Sequence, residues 1–203
     1  MLKKGELNGA QEKAAKHKNG PLLIIAGAGA GKTKTISYRI LNLIKGGVPP
    51  SQILAITFTN KAAREMGERI GELLKGERRG VDGIYDRPFV STFHSLGIHV
   101  LRGNAKKIGL TSHFSIFDQD DSTRAIKEAL REKNLDPKQF DPGRIRNVIS
   151  RHKGDLVTQE EYSAQAEDYF PKIVAGVWER YEKILAKEKG LDFDDLILKT
   201  VKL

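Results

Sequence analysis

The run AGAGAGKTKT at residues 26–35 limits the fold more than any other part of the chain. Gly27, Gly29 and Gly31 permit backbone conformations closed to other residues. Ala28 and Ala30 keep the loop narrow, so successive N–H groups can turn inward around an anion. Lys32 supplies a positive charge for β and γ phosphates, and the Thr33 hydroxyl can hold Mg²⁺. The flanks fit the same reading. GPLLIIAG (20–27) is a short apolar run, predicted to be a buried parallel strand. TKTISYRILNLIKGG follows, with Ile36, Ile40, Leu43 and Ile44 at helical spacing and Gly46–Gly47 as its stop. Strand, glycine loop and helix are the order a phosphate loop needs, and the helix N-terminus adds its dipole. The strict pattern starts on glycine, and here that place is Ala26. A methyl group at the strand end is tolerated if φ stays negative. The bland alternative is a glycine-rich turn followed by a chance Lys-Thr.

The rest of the first half continues the alternation. QILAITFT (52–59) and PFVSTF (88–93) read as strands. NKAAREMGERIGELLKG between them reads as a helix, with Ala62, Ala63, Met66, Ile70, Leu73 and Leu74 on one face. Glu65 and Arg69 stand four apart on its outer face. Alternating strands and helices predict an α/β fold, a parallel sheet with helices packed on it. From about 104 to 190 the pattern becomes helical. DDSTRAIKEALREKN opens with Asp and Ser at capping positions, and DPGRIRNVISRHKG is a short helix after a proline. Thr158 and Glu161 fit a capping box. PKIVAGVWERYEKILAKEKG carries Ile173, Val177, Trp178, Tyr181, Ile184 and Leu185 on one side. LDFDDLILKTVKL starts another helix.

Composition excludes several classes. There is no cysteine, so disulfides and thiolate metal sites are ruled out. The sequence holds no apolar run of membrane-spanning length, and MLKKGELNGAQEK lacks the apolar stretch of a signal peptide. Cytoplasm is the default expectation. The formal charge of +9 favours a polyanionic partner, most simply nucleic acid. A merely soluble basic protein would look the same on this count alone.

Residues at predicted strand ends are candidate contacts. Phe58 can stack on a base or pack in a core. Thr59, Asn60 and Lys61 can hold a backbone phosphate, or Asn60 can simply cap the following helix. Thr92, Phe93, His94 and Ser95 end the next strand. His94 and His99 are five apart with nothing to complete a metal set. Asp192, Asp194 and Asp195 suggest a metal site or, more ordinarily, complements to a helix N-terminus.

Taken in order, LNGAQ (7–11), AGAGAGKT (26–33), ITFTNKAAREM (56–66), VSTFHSLG (90–97) and LDFDDL (191–196) resemble the N-terminal part of the UvrD/Rep/PcrA-like superfamily 1 DNA helicases. The likeness spans the whole chain. Alanine at the first loop position is common in that family, whereas serine is often found where Ala30 stands. The resemblance implies a RecA-like phosphate-loop sheet with helices on both faces. That motor domain would take 1–103 and 190–203, with an inserted all-helical subdomain at 104–189. It implies ATP and Mg²⁺ as cofactors. Gln11 would read the adenine edge, and Ala28, Gly29, Ala30, Gly31, Lys32, Thr33 and Lys34 would surround the phosphates. Lys32 and Thr33 would carry the catalytic roles, Thr33 as the Mg²⁺ ligand. Phe58, Thr59, Asn60, Lys61, Thr92, Phe93 and His94 would contact single-stranded DNA or a duplex junction. No membrane and no structural metal are expected.

The same resemblance implies a missing part. Hydrolysis needs a second carboxylate and a group that positions water, which the family takes from an Asp-Glu-x-Gln strand after LDFDDL. No such segment occurs in these 203 residues, nor do the arginine fingers of a second motor domain. The expectation is an N-terminal helicase fragment that hydrolyses little by itself. The alternatives are a phosphate-loop NTPase of another class, for which no guanine-reading Asn-Lys-x-Asp is found, and a DNA-binding module without catalysis.

Overall fold

The computed structural model describes residues 6–75 and 87–203. Gly76, the last residue of the segment NKAAREMGERIGELLKG read as a helix, lies outside them. The chain is a mixed α/β structure that divides into two compact units, Met1–Phe93 and His94–Leu203.

In the first unit, helix α1 (Gly9–Lys16) begins where Asn8 and Gln11 form a capping box. Helix α2 (Lys32–Lys45) follows the glycine loop, strand β1 spans Leu54–Thr57, helix α3 covers Asn60–Leu73, and strand β2 covers Phe89–Thr92. β1 and β2 pair in parallel, with Leu54 opposite Phe89 and Thr57 opposite Thr92. The core gathers Ala15 of α1, Tyr38, Ile40 and Leu41 of α2, Ile53 and Ala55 of the β1 segment, and Met66, Ile70 and Leu74 from the α3 side.

Two expectations fail in this unit. Residues 20–27 form no strand, and Leu23 and Ile25 are 83% and 88% exposed. A buried parallel strand needs hydrogen-bonding neighbours, and β1 and β2 bond only to each other among the described residues. The buried face of α2 is also rotated from the apolar stripe. Thr35, Ser37, Tyr38, Ile40 and Leu41 are buried, whereas Ile36 is exposed. The hydroxyls of Thr35 and Ser37 donate to the carbonyls of Gly31 and Thr33, at 3.0 and 2.9 Å, so they enter the interior satisfied. Arg39 and Asn42 hold the last carbonyls of α1, which sets that rotation.

The second unit is mainly helical. It contains most of α4 (Phe93–Gly103), then β3 (Ser115–Phe117), α5 (Gln119–Glu132), α6 (Pro142–Gly154), α7 (Gln159–Gln165), α8 (Tyr169–Lys187), β4 (Gly190–Asp192) and α9 (Phe193–Lys202). The sequence reading missed β3 and β4, three residues each, which pair in parallel. Asp118, ahead of the predicted Asp and Ser, caps α5 by accepting from the N–H groups of Asp120 and Asp121. Asp141 caps α6, with Pro142 in its first turn. Thr158 and Glu161 form the predicted capping box of α7. Ile126, Leu130, Ile145, Ile149, Val174, Val177, Trp178 and Leu185 build the core where α5, α6 and α8 meet.

Candidate functional site

The glycine loop and the start of α2 form the first candidate site. Gly29 and Gly31 take φ of +73° and +80°, the left-handed region where glycine is favoured. Gly31 is the N-cap of α2, and no side chain caps that end. The first-turn N–H groups of α2 therefore lack intrahelical acceptors. Lys32 Nζ folds back to donate to the carbonyls of Ala26 and Gly27, at 2.8 and 2.7 Å. Thr33 lies exposed beside it, whereas Thr35 is buried. Lys34 turns away, its ammonium donating to the Glu6 carbonyl.

Gln11 joins α1 to this loop. Its Oε1 accepts from Asn8 N at 3.0 Å, and its Nε2 donates to the Ala30 carbonyl at 3.0 Å. An amide has two N–H bonds and two lone pairs, so one of each remains for a further partner. Glu6 also accepts from the Tyr38 hydroxyl. Burial and that carboxylate push the Tyr38 phenol up to about 12. The residues fit a polyphosphate: narrow, left-handed glycines, an uncapped helix N-terminus, one cation and one exposed hydroxyl.

A second group lies at the strand ends of the first unit. Phe58 is 87% exposed, so it does not pack in a core. Its ring centroid stands 5.4 Å from that of Phe93, itself partly exposed, with the planes tilted by 40°. Thr59, and not Asn60, caps α3 by accepting from Ala62 N at 3.1 Å. The Asn60 side chain is thus relieved of the capping task. Lys61 is exposed, with Glu65 4.0 Å away. Thr92 is buried. Charge concentrates in the same unit. Residues 1–93 hold sixteen Lys and Arg against eight Asp and Glu, and residues 94–203 hold nineteen against eighteen.

In the second unit, His94 packs edge-on against Phe193, with centroids 5.4 Å apart. The acidic group nearby is a helix cap. Asp192 is the N-cap of α9 and shares a capping box with Asp195. Both are buried around Lys153 Nζ, which also reaches Glu182. The three carboxylates hold the Lys153 ammonium well above its usual range, overcoming the effect of burial. Removing one partner of such a buried pair costs about 3–5 kcal/mol. Sequence reading missed Lys153, although it continues the buried stripe of Ile145 and Ile149 at steps of four. A cavity of about 540 Å³ in this unit is lined by Asp118, Asn147, Ser150, Phe193 and Asp194 among others, and by none of the predicted phosphate or DNA residues.

Comparison with known proteins gives these features a family. The UvrD/REP helicase N-terminal domain matches residues 7–203. This chain belongs to that family. Curated relatives named ATP-dependent DNA helicase PcrA are 47% identical over 198 residues in Bacillus subtilis strain 168 and 41% in Staphylococcus aureus strain Mu50. A Staphylococcus epidermidis protein of the same name is 40% identical. Each alignment covers 97% of this chain and 26% of the relative, so the chain spans about a quarter of their length. No described helix is long and apolar enough to cross a membrane.

Proposed function

We propose that this chain is the ATP- and single-strand-binding N-terminal part of an ATP-dependent DNA helicase, a 3′–5′ translocase acting on single strands or duplex junctions in the cytoplasm. The carrying observation is the left-handed glycine loop on the uncapped α2 N-terminus, with Lys32 inside it and the Gln11 amide on the Ala30 carbonyl. In this reading Gln11 meets the adenine edge, the N–H groups of residues 28–34 and Lys32 hold the phosphates, and Thr33 ligates Mg²⁺. ATP supplies the phosphoryl-transfer chemistry; the residues here bind and orient it. Without an Asp-Glu-x-Gln segment, these 203 residues alone are expected to hydrolyse it slowly.

Phe58 and Phe93 would receive bases, and Thr59, Asn60, Lys61 and His94 would contact the strand, whereas Thr92, buried at the end of β2, would support that edge without touching the DNA. The charge excess of the first unit supports a polyanion there. The fold proposed is a RecA-like motor domain (1–103 and 190–203) carrying a helical insert (104–189). The test uses a fluorescent ATP analogue and labelled oligo-dT. Lys32→Ala is expected to weaken the analogue about 10- to 100-fold, the worth of charge-assisted bonds of ~1.5–3 kcal/mol, and to leave DNA binding intact. Phe58→Ala is expected to lose roughly 1–3 kcal/mol of oligonucleotide binding and to leave the analogue untouched. Unchanged analogue affinity in Lys32→Ala would leave a DNA-binding module without a nucleotide site.

A further inference from the structure

We infer that Lys153 is a positioning residue, whose ammonium fixes the Phe193 ring against which His94 packs. The inference rests on the proposed role of His94 at DNA. Lys153 sits in the last turn of α6 and is 2% exposed. Its ammonium donates to Asp192 and Asp195 and forms an ion pair with Glu182, three carboxylates from three other elements. Glu182 Oε1 of α8 lies at 2.8 Å, Asp192 Oδ2 of β4 at 2.8 Å and Asp195 Oδ1 of α9 at 3.0 Å.

The aspartate oxygens carry further bonds. Asp192 Oδ1 accepts from Asp195 N at 2.7 Å, and Asp195 Oδ2 accepts from Asp192 N at 3.3 Å. Tyr181 donates its hydroxyl to Asp192 Oδ2, and Trp178 Nε1 donates to Glu182 Oε1. Phe193 lies between the two clamped aspartates, so one buried cation holds its backbone from both sides. The ring itself is 47% exposed, and burial alone does not hold it. A buried ion cluster is seldom more stabilising than apolar side chains of the same volume. What this cluster provides is a fixed place for an exposed ring and, through the edge contact, for the His94 imidazole.

The test uses the whole 203-residue chain. Lys153→Met removes the cation. The triple variant Lys153→Met, Asp192→Asn, Asp195→Asn removes it while keeping capping side chains and leaving fewer uncompensated charges, and so covers the case in which the single variant does not fold. The direct readout is the ring-current shift of the His94 imidazole protons by NMR. It is expected to collapse toward that of a free histidine while helix content by circular dichroism is retained. Oligo-dT affinity is expected to fall about threefold or more, and Lys153→Met is expected to add no further loss in a His94→Ala background, as coupled residues do. Unchanged His94 resonances in the folded variants overturn the inference, and so does an equal affinity loss with and without His94. If His94→Ala alone leaves affinity unchanged, the DNA role of His94 fails and the resonances by themselves decide the positioning role.

Discussion

Gly31→Ala separates backbone strain from a contact at the glycine loop. At a φ of +80° an L side chain costs roughly 1–2 kcal/mol. A Cβ there would also stand 2.9 Å from Gln11 Nε2, the nitrogen that donates to the Ala30 carbonyl. The amide must swing away, and losing that bond adds about 0.5–1.5 kcal/mol. The total is about 2–3 kcal/mol. In a Gln11→Ala background only the strain remains, so the same substitution costs about 1–2 kcal/mol, a coupling of about 1 kcal/mol. Native-state hydrogen exchange of the α2 amides measures this locally. Equal costs in the two backgrounds would refute the claim that the methyl reaches Gln11. No cost in either would refute the left-handed conformation.

Two further predictions concern the second unit. A Cβ on Gly97 would lie 2.5 Å from the Leu196 carbonyl oxygen, a backbone atom that cannot turn aside. Gly97→Ala is expected to destabilise by about 1–3 kcal/mol by overpacking, whereas Gly103→Ala in the same helix, with open space around it, is expected to be neutral or to gain up to about 1 kcal/mol; thermal melts of the pair check this. Burial pushes the Asp195 carboxyl up to about 6, with Asp192 and Glu182 adding to the rise and Lys153 and Lys199 opposing it. A raised carboxyl binds its proton more tightly in the folded chain. Its contribution is therefore complete below about pH 4 and lost as pH rises through about 6. Relative to Asp195→Asn, the parent chain is expected to lose stability as pH rises between those limits in pH-dependent melts, and parallel curves would contradict this assignment.

What could be read from sequence depended on how local each cause was. The glycine loop was legible because the conformations at Gly29 and Gly31 belong to single residues. The α7 capping box was legible because Thr158 and Glu161 are three apart. The exposed position of Leu23 and Ile25 was not, since a strand exists only through neighbours. The face of α2 was misread because Thr35 and Ser37 take buried places through bonds to their own helix, which an apolar pattern ignores. Lys153 was hidden because its partners lie 29 to 42 residues away in sequence. At the strand ends, the pattern left Phe58 between two roles, and its exposure beside Phe93 removes the core-packing one.

Lys32 carries a last consequence. Its ammonium already spends two hydrogen bonds on the carbonyls of Ala26 and Gly27. An entering anion competes with those oxygens and gains only the difference. A lone sulfate or inorganic phosphate offers few contacts to set against the exchange, whereas a triphosphate brings further oxygens to the amides along the loop. On the proposed nucleotide-binding reading, the loop's own backbone thus weighs against the small anions that surround it.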